Sequence, residues 1–423
     1  MGIPVRAIAV VAVATLGVAA CGGSSGSSSS GSGSSGGKTL IISTDLPLQG
    51  SSADASADTN KAIQLYLDSV GDKAGTYKVQ LKTYDDSTAT AGQWDPGACT
   101  KNATAHVLNK SEVAVMGTFN SGCAKLEVPT LNEAPGGGML MVSHANTNVG
   151  LTKTWDAGEP QKYFPSGQRN YARVVTTDDY QGTADATYAF NDLGVKKVYI
   201  LNDNQTYGQG VAKTFAAAAT KLGMTVVANE AWDKNQPNYT ATMQKIKAAN
   251  VDMVFLAGIE DNNGAQLVKD KVAVLGDNTK VKLMAPDGFT GYPDLNKLPQ
   301  AQGMYLSFAG LSLQPLMAAG GAGATFINSF KAKYGRLPAS SYALYGVAAT
   351  QVILAAIAKS DGTRKGVRDA VFTGSGIDIP AATSVLGKEL KIDPATGDVN
   401  AKDISIEIIK GQQETFKKAQ PVS

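Results

Sequence analysis

Two runs decide how this chain reads. Val113-Ala114-Val115-Met116 opens into Gly117-Thr118-Phe119-Asn120-Ser121-Gly122, and Leu140-Met141-Val142 opens into Ser143-His144-Ala145-Asn146-Thr147-Asn148. Each is a short apolar strand pattern that gives way to small polar residues. Between them, Ala124 to Glu133 has helical spacing and is stopped by Pro135 and three glycines. Two adjacent parallel strands would release both polar loops at one edge of a sheet, the edge where open α/β sheets bind ligands. The residue types there suit a carboxylate. Ser121 and Thr147 offer hydroxyls, Gly122 and Ala145 leave backbone groups reachable, and a helix starting near Cys123 turns its positive end to the loop. Two ordinary strand-to-helix turns with capping hydroxyls would use the same residues.

Outward from this stretch, strand and helix patterns alternate. Thr39 to Asp45, a Gly50 turn, a helix over 53–70 and the strand Val79 to Tyr84 form a βαβ unit. Asp85-Asp86 closes it as a polar strand end. The strand Tyr171 to Val175 leads through a crossing near Thr176 to the polar stretch 178–182 and a helix ending at Asn191. Strands follow at 197–201, 225–227, 252–258 and 281–285, with helices at 211–222, 239–249 and 263–275. Such alternation means parallel sheets with helices on both faces. Gly303 to Phe308 reads as a strand returning to the first sheet, and Tyr342 to Ala358 as a long buried helix. Residues 392–399 form a turn before the strand 404–409; they lack the closing Glu of a calcium-binding loop.

The composition narrows the function. With 423 residues there is room for two domains, and a net charge of +2 from 38 basic and 36 acidic residues argues against a nucleic-acid groove. Two His and three Cys leave little for a metal centre or a Cys/His catalytic pair. Gly208 to Thr214 has the wrong spacing for a phosphate loop, and Gly374-Ser375-Gly376 lacks a nucleophile-elbow frame. His106 and His144 read as surface or packing residues. Neither an enzyme nor a cofactor is expected.

The N-terminus reads as an export signal over 1–20, with Arg6 before the apolar run 7–18, too short to span a bilayer. Val18-Ala19-Ala20-Cys21 resembles a bacterial lipobox, so Cys21 is expected to be lipidated; a plain secretory signal cut near Ala20 is the alternative. Residues 22–37 are nearly all Ser and Gly, a flexible tether. Export also permits a disulfide between Cys99 and Cys123.

The pattern Gly117-x-x-x-Ser121, then Leu140-Met-Val-Ser-x-Ala145-x-Thr147-Asn148-x-x-Leu151-Thr152, resembles the leucine/isoleucine/valine-binding proteins of ABC importers. Asp203-x-x-x-Tyr207-Gly208-x-Gly210 adds to the likeness, which covers nearly the whole chain after Lys38. The resemblance implies a type I periplasmic-binding fold: two doubly wound α/β lobes joined by a multi-strand hinge. Lobe one is expected over 38–176 and 307–389, lobe two over 177–306 and 390–423. It also implies a bridge near Cys99, although the family's second Cys sits a few residues earlier.

The same resemblance places a small amino acid between the lobes and an ABC permease as partner. Ser121, Ala145 and Thr147 would hold the carboxylate. Asp287 stands where the family has a Glu for the substrate's ammonium, one methylene shorter. Tyr207 and Tyr342 would border the ligand, and Asn146 replaces a common Ala. The family's aromatic wall after Gly50 is missing here, and Ile259-Glu260 stands where tyrosines are usual. A pocket-facing Glu260 would favour a polar or cationic ligand; an amide, urea, a small aromatic acid or a sensory role are the alternatives.

Overall fold

The computed structural model describes residues 38–421. The export signal, Cys21 and the Ser/Gly tether lie outside the described residues. The first sheet has six strands in the order Lys73–Ala74, Tyr77–Asp85, Thr39–Leu46, Glu112–Gly117, Leu140–Ser143, Tyr171–Arg173. All neighbours are parallel except the short outer pair. The strands Glu112–Gly117 and Leu140–Ser143 are buried throughout, as continuous apolar strands are when helices cover both faces. The helix Tyr342–Ala358 packs on one face in a core with Leu40, Ile42, Val142, Phe308 and Phe330. Val128, Leu131, Met141 and Tyr171 fill the other.

The second sheet has seven strands in the order Thr225–Ala231, Lys197–Asn202, Met253–Ala257, Lys282–Ala285, Tyr305–Phe308, Ile404–Lys410, Gln413–Gln420. The first five are parallel and the last two antiparallel. The elements that escape the periodic pattern include the helix Leu313–Ala319 and the closing strand Gln413–Gln420. That strand is half-exposed and carries Lys417 and Lys418, as edge strands often do. One reading is corrected. Tyr305–Phe308 does not return to the first sheet; it pairs with Lys282–Ala285 and Ile404–Lys410 inside the second. Its apolar pattern fits either sheet, and only the pairing decides.

Three segments cross side by side between the sheets. Thr176 N–H donates to the Ala309 carbonyl at 3.1 Å and Thr176 Oγ1 to the Asp403 carbonyl at 3.1 Å. Ser405 N–H closes the set on the Gly310 carbonyl at 3.0 Å. Peptide bonds tied laterally in this way form a ribbon that can bend without losing its order.

Helix Pro96–Leu108 begins with Asp95 accepting from Ala98 N–H at 3.0 Å and with Pro96 in its first turn. A disulfide joins its Cys99 to Cys123 in helix Ser121–Asn132, 24 residues further on. Constraining a loop of that length contributes about 3.4 kcal/mol in the chain-entropy model. Replacing both cysteines by Ser is expected to lower the unfolding free energy by roughly this amount in urea titrations. An unchanged midpoint would show that the bridge adds nothing to stability.

Candidate ligand-binding site

The strands of both sheets end facing one cleft, lined by Phe119, Asn120, Ser121, Ala145, Tyr207, Ile259, Asp287, Gly288 and Tyr342. All but Tyr342 arrive by a strand-to-loop step. Phe119 to Ser121 follow the strand Glu112–Gly117, and Ala145 follows Leu140–Ser143. Tyr207 opens the helix Thr206–Lys221, Ile259 follows Met253–Ala257, and Asp287 follows Lys282–Ala285. Tyr342 is the first residue of the long buried helix.

The first-sheet wall is rich in donors. Helix Ser121–Asn132 starts at the cleft with no side chain capping it, so its first amides remain available. Ser121 Oγ accepts from Asn148 N–H at 3.4 Å, which leaves its own proton free to donate. The opposite wall carries the acid. Asp287 is buried, its Oδ1 accepts from the Tyr207 hydroxyl at 2.6 Å, and its Oδ2 accepts from the Tyr342 hydroxyl. Burial raises the Asp287 pKa, and the two tyrosines oppose the rise. Burial and the neighbouring carboxylate push both tyrosines well above their usual range, so they stay protonated as donors. Gly288 permits the arrangement: a Cβ there would sit 2.2 Å from the Gly258 carbonyl oxygen and 2.8 Å from the Tyr207 ring.

The structure thus gathers Ser121, Ala145, Tyr207, Asp287 and Tyr342 on one cleft. Three other expected residues do not line it. Asn146 is fully buried, donates to the Thr118 and Phe119 carbonyls at 2.9 and 3.0 Å and accepts from the Tyr171 hydroxyl. It locks the two loops together instead of facing ligand. Thr147 is also fully buried, its hydroxyl beside the Asp178 carboxyl. Glu260 turns to Ser51 and to the Ala265 amide, with burial holding its carboxyl near pKa 7. Gly122 has a packing role: a Cβ there would lie 2.5 Å from the Trp94 ring.

Residues the sequence reading passed over complete the site. Phe119 and Asn120 adjoin Ser121 and could have been found by extending that motif. Asp178 and Asp185 lie close enough behind the cleft for Asp287 to raise their pKa values, after burial as the larger cause. His144, fully buried, packs edge-on against Phe119 and Tyr342, and burial lowers it to about 3, so it stays neutral.

Contacts across the cleft show a closed conformation. Ser52 Oγ donates to Asp261 at 2.7 Å, and Trp94 Nε1 to Gln205 at 3.0 Å. Asn148 Nδ2 donates to the Thr206 carbonyl at 3.2 Å.

The buried acids set a pH dependence. Burial raises Asp178 and Glu407 to about 8, Glu260 to about 7 and Asp203 to about 6. Each binds its proton more tightly folded than unfolded, so its contribution is complete below the unfolded value and is lost as pH rises through the folded one. His144 works oppositely, costing stability as pH falls below 6.5 toward 3. Four acids against one histidine make the unliganded fold more stable at pH 6 than at pH 8. Urea midpoints at the two values check this, and a higher midpoint at pH 8 would refute it.

Comparisons with known proteins place the fold. A family model described as periplasmic binding protein matches residues 45–397. The Leu/Ile/Val-binding protein BraC3 of Rhizobium johnstonii is 27% identical over 376 residues, covering 85% of this chain and 89% of that protein. The crystal structure of the leucine-binding protein LivK of Thermotoga maritima superposes with a TM-score of 0.73 at 20% identity, over 90% of this chain and 98% of that one. A solute-binding protein of an R. palustris ABC transporter, in complex with benzoate, also gives 0.73, at 18% identity, over 91% of this chain and 97% of that one. The class is therefore a two-lobed α/β binding protein. The chain belongs to the periplasmic binding protein family.

Proposed function

We propose that this chain is the substrate-binding component of an ABC importer, capturing a small amino acid, branched-chain or related, between its two lobes. The observation that carries the reading is Asp287, a buried acid held by two tyrosine hydroxyls across a cleft from the donor-rich start of helix Ser121–Asn132. An ammonium suits the Asp287 wall and a carboxylate the wall at the start of helix Ser121–Asn132. Burying either charge unpaired costs several kcal/mol, so the site selects molecules that carry both. Ile259, Phe119 and Tyr342 give the remaining surface an apolar character, which suits an aliphatic side chain. The BraC3 relative supports the same ligand class by name.

The ligand would bridge the lobes and favour the closed state through its higher affinity for that state; hinge closure of periplasmic binding proteins is itself a standard example of such a switch. The closed form would then dock a permease. Lipidation at Cys21 would tether the protein to the outer face of the cell membrane, each buried CH₂ contributing about 0.8 kcal/mol.

A thermal-shift screen of the purified chain against amino acids, amides and aromatic acids tests this reading. A ligand at 100 times its Kd stabilises by about 2.7 kcal/mol. Shifts from aliphatic amino acids support the proposal. Shifts confined to aromatic acids, as the benzoate-bound relative would foreshadow, reject it.

A further inference from the structure

Behind the Ser121 loop lies a second polar cluster that ligand binding does not use. Asp45, Asp86, His106, Glu112 and Glu127 come from five separate segments and are all fully buried. Asp45 is the next-to-last residue of the strand Thr39–Leu46, and Asp86 follows the strand Tyr77–Asp85. His106 lies on helix Pro96–Leu108, Glu112 opens the strand Glu112–Gly117, and Glu127 lies on helix Ser121–Asn132.

These four carboxylates are not equivalent. Glu112 is well served: it pairs with His106 Nδ1 and accepts from Ser43 Oγ, Asn109 Nδ2 and the Tyr84 hydroxyl. Asp45 accepts from Asn102 Nδ2 at 3.0 Å and has its Oδ2 3.2 Å from His106 Nε2. Asp86 has no hydrogen-bond partner for either oxygen among the described residues, and Glu127 has none for Oε2. The contact of Glu127 Oε1 is the Cys123 sulfur at 3.5 Å, which is bonded to Cys99 and carries no hydrogen to give. Glu127 lies against the Asp45 carboxyl, and Asp86 feels the charge of Asp45 as well. Among the described residues, His106 is the one basic side chain in ion-pair contact with any of the four. One imidazole cannot balance them, and isolated buried carboxylates cost several kcal/mol each.

The geometry points to a divalent first-row metal ion, Mn²⁺ or Zn²⁺, held by His106 Nε2, Asp45 and Glu127 with Asp86 as a further oxygen donor. Donor atoms of Asp45, His106 and Glu127 lie within 4.8 Å of one another, close to the diameter of such an ion's coordination sphere. The donor set fits as well. One imidazole with carboxylates suits this class of metal better than Ca²⁺ or Mg²⁺, which prefer all-oxygen shells. With an ion bound, Glu112 would accept the Nδ1 proton of His106 and leave Nε2, 3.2 Å from Asp45 Oδ2, as the ligating nitrogen, the carboxylate–histidine–metal arrangement common at protein metal sites. The ion would clamp the strand Thr39–Leu46 to the helix that begins at Ser121, bracing the cleft from behind without touching ligand.

The test strips the purified full chain with chelator, dialyses it, and adds back Mn²⁺ or Zn²⁺ alone, with Mg²⁺ and Ca²⁺ as comparisons. Bound metal is counted by mass spectrometry and stability is followed by thermal melting. One tight Mn²⁺ or Zn²⁺ per chain and a raised melting temperature are expected. Glu127→Gln and Asp86→Asn should each abolish the stoichiometric ion. Glu112→Gln should keep it at about 10- to 100-fold weaker affinity, as a positioning residue does. Three results overturn the proposal: no bound ion after add-back, an ion that survives the Asp86→Asn/Glu127→Gln double variant, or an Asp86→Asn protein that melts higher with no response to metal. The last would show that the cluster holds protons instead. None of these readouts depends on which solute the cleft binds.

Discussion

Asp287→Ala is expected to weaken amino-acid binding by about 2–5 kcal/mol, roughly 30- to 4,000-fold in Kd. The reason is the asymmetry of burial. The acid closes under two tyrosines in a water-poor cleft, and without it the ligand's ammonium would enter that cleft unpaired. Asp287→Asn separates this effect from folding. It preserves the shape and gives up a charge that burial already disfavours, so the unliganded fold should keep its stability while binding is lost. Calorimetric titration of both variants with the ligand found by screening measures the effect. Wild-type affinity in either one would remove Asp287 from the site and the ammonium subsite with it.

Arg173→Met is expected to cost about 3–5 kcal/mol of stability and to weaken ligand binding as well. Arg173 is fully buried beneath the loop that carries Ala145. Its Nη1 donates to the Asn146 and Asn148 carbonyls at 3.0 and 2.8 Å, its Nε to Asp398 at 2.8 Å, and its Nη2 to the Thr152 hydroxyl. One side chain therefore fixes the start and end of the binding loop and ties both to a distant turn. Methionine fills similar space but leaves the buried Asn146 carbonyl without a donor, at about 1–3 kcal/mol, and the Asn148 carbonyl with only the Leu151 N–H at 3.4 Å. Asp398 is partly exposed and can rehydrate, which limits the loss on that side. Arg173→Lys keeps the charge but lacks the fork of donors, and should fall between the two. Urea denaturation of the three proteins ranks them. Equal midpoints would mean that the guanidinium is not what holds the loop.

What the sequence made legible follows from how local each signal is. The βα alternation, the buried strands on either side of Ser121 and the long helix from Tyr342 are written in periods of a few residues. The cleft motif around Ser121 was legible because its residues are contiguous. Other features depend on contacts between distant segments. Arg173 and Asp398 are 225 residues apart. Asn146 looked like a polar addition to the pocket, yet its amide is used up by two backbone carbonyls. Glu260 stands where tyrosines are usual in the resemblance, and here it turns to Ser51 and the Ala265 amide. The Tyr305–Phe308 strand was assigned to the wrong sheet because an apolar run does not name its neighbours. Asp86 read as a polar strand end. Only the packing of helices Pro96–Leu108 and Ser121–Asn132 around it shows that it is sealed from solvent.

The central claim is that the cleft reads both ends of a zwitterion. The most direct measurement is a pair of calorimetric titrations of the unliganded protein, one with L-leucine and one with 4-methylpentanoate, which has the same skeleton without the ammonium. The account predicts saturable binding of leucine, or of the related amino acid identified by screening, and no measurable binding of the matching deaminated acid. Equal affinity for the two would contradict it, because the Asp287 wall would then contribute nothing to recognition.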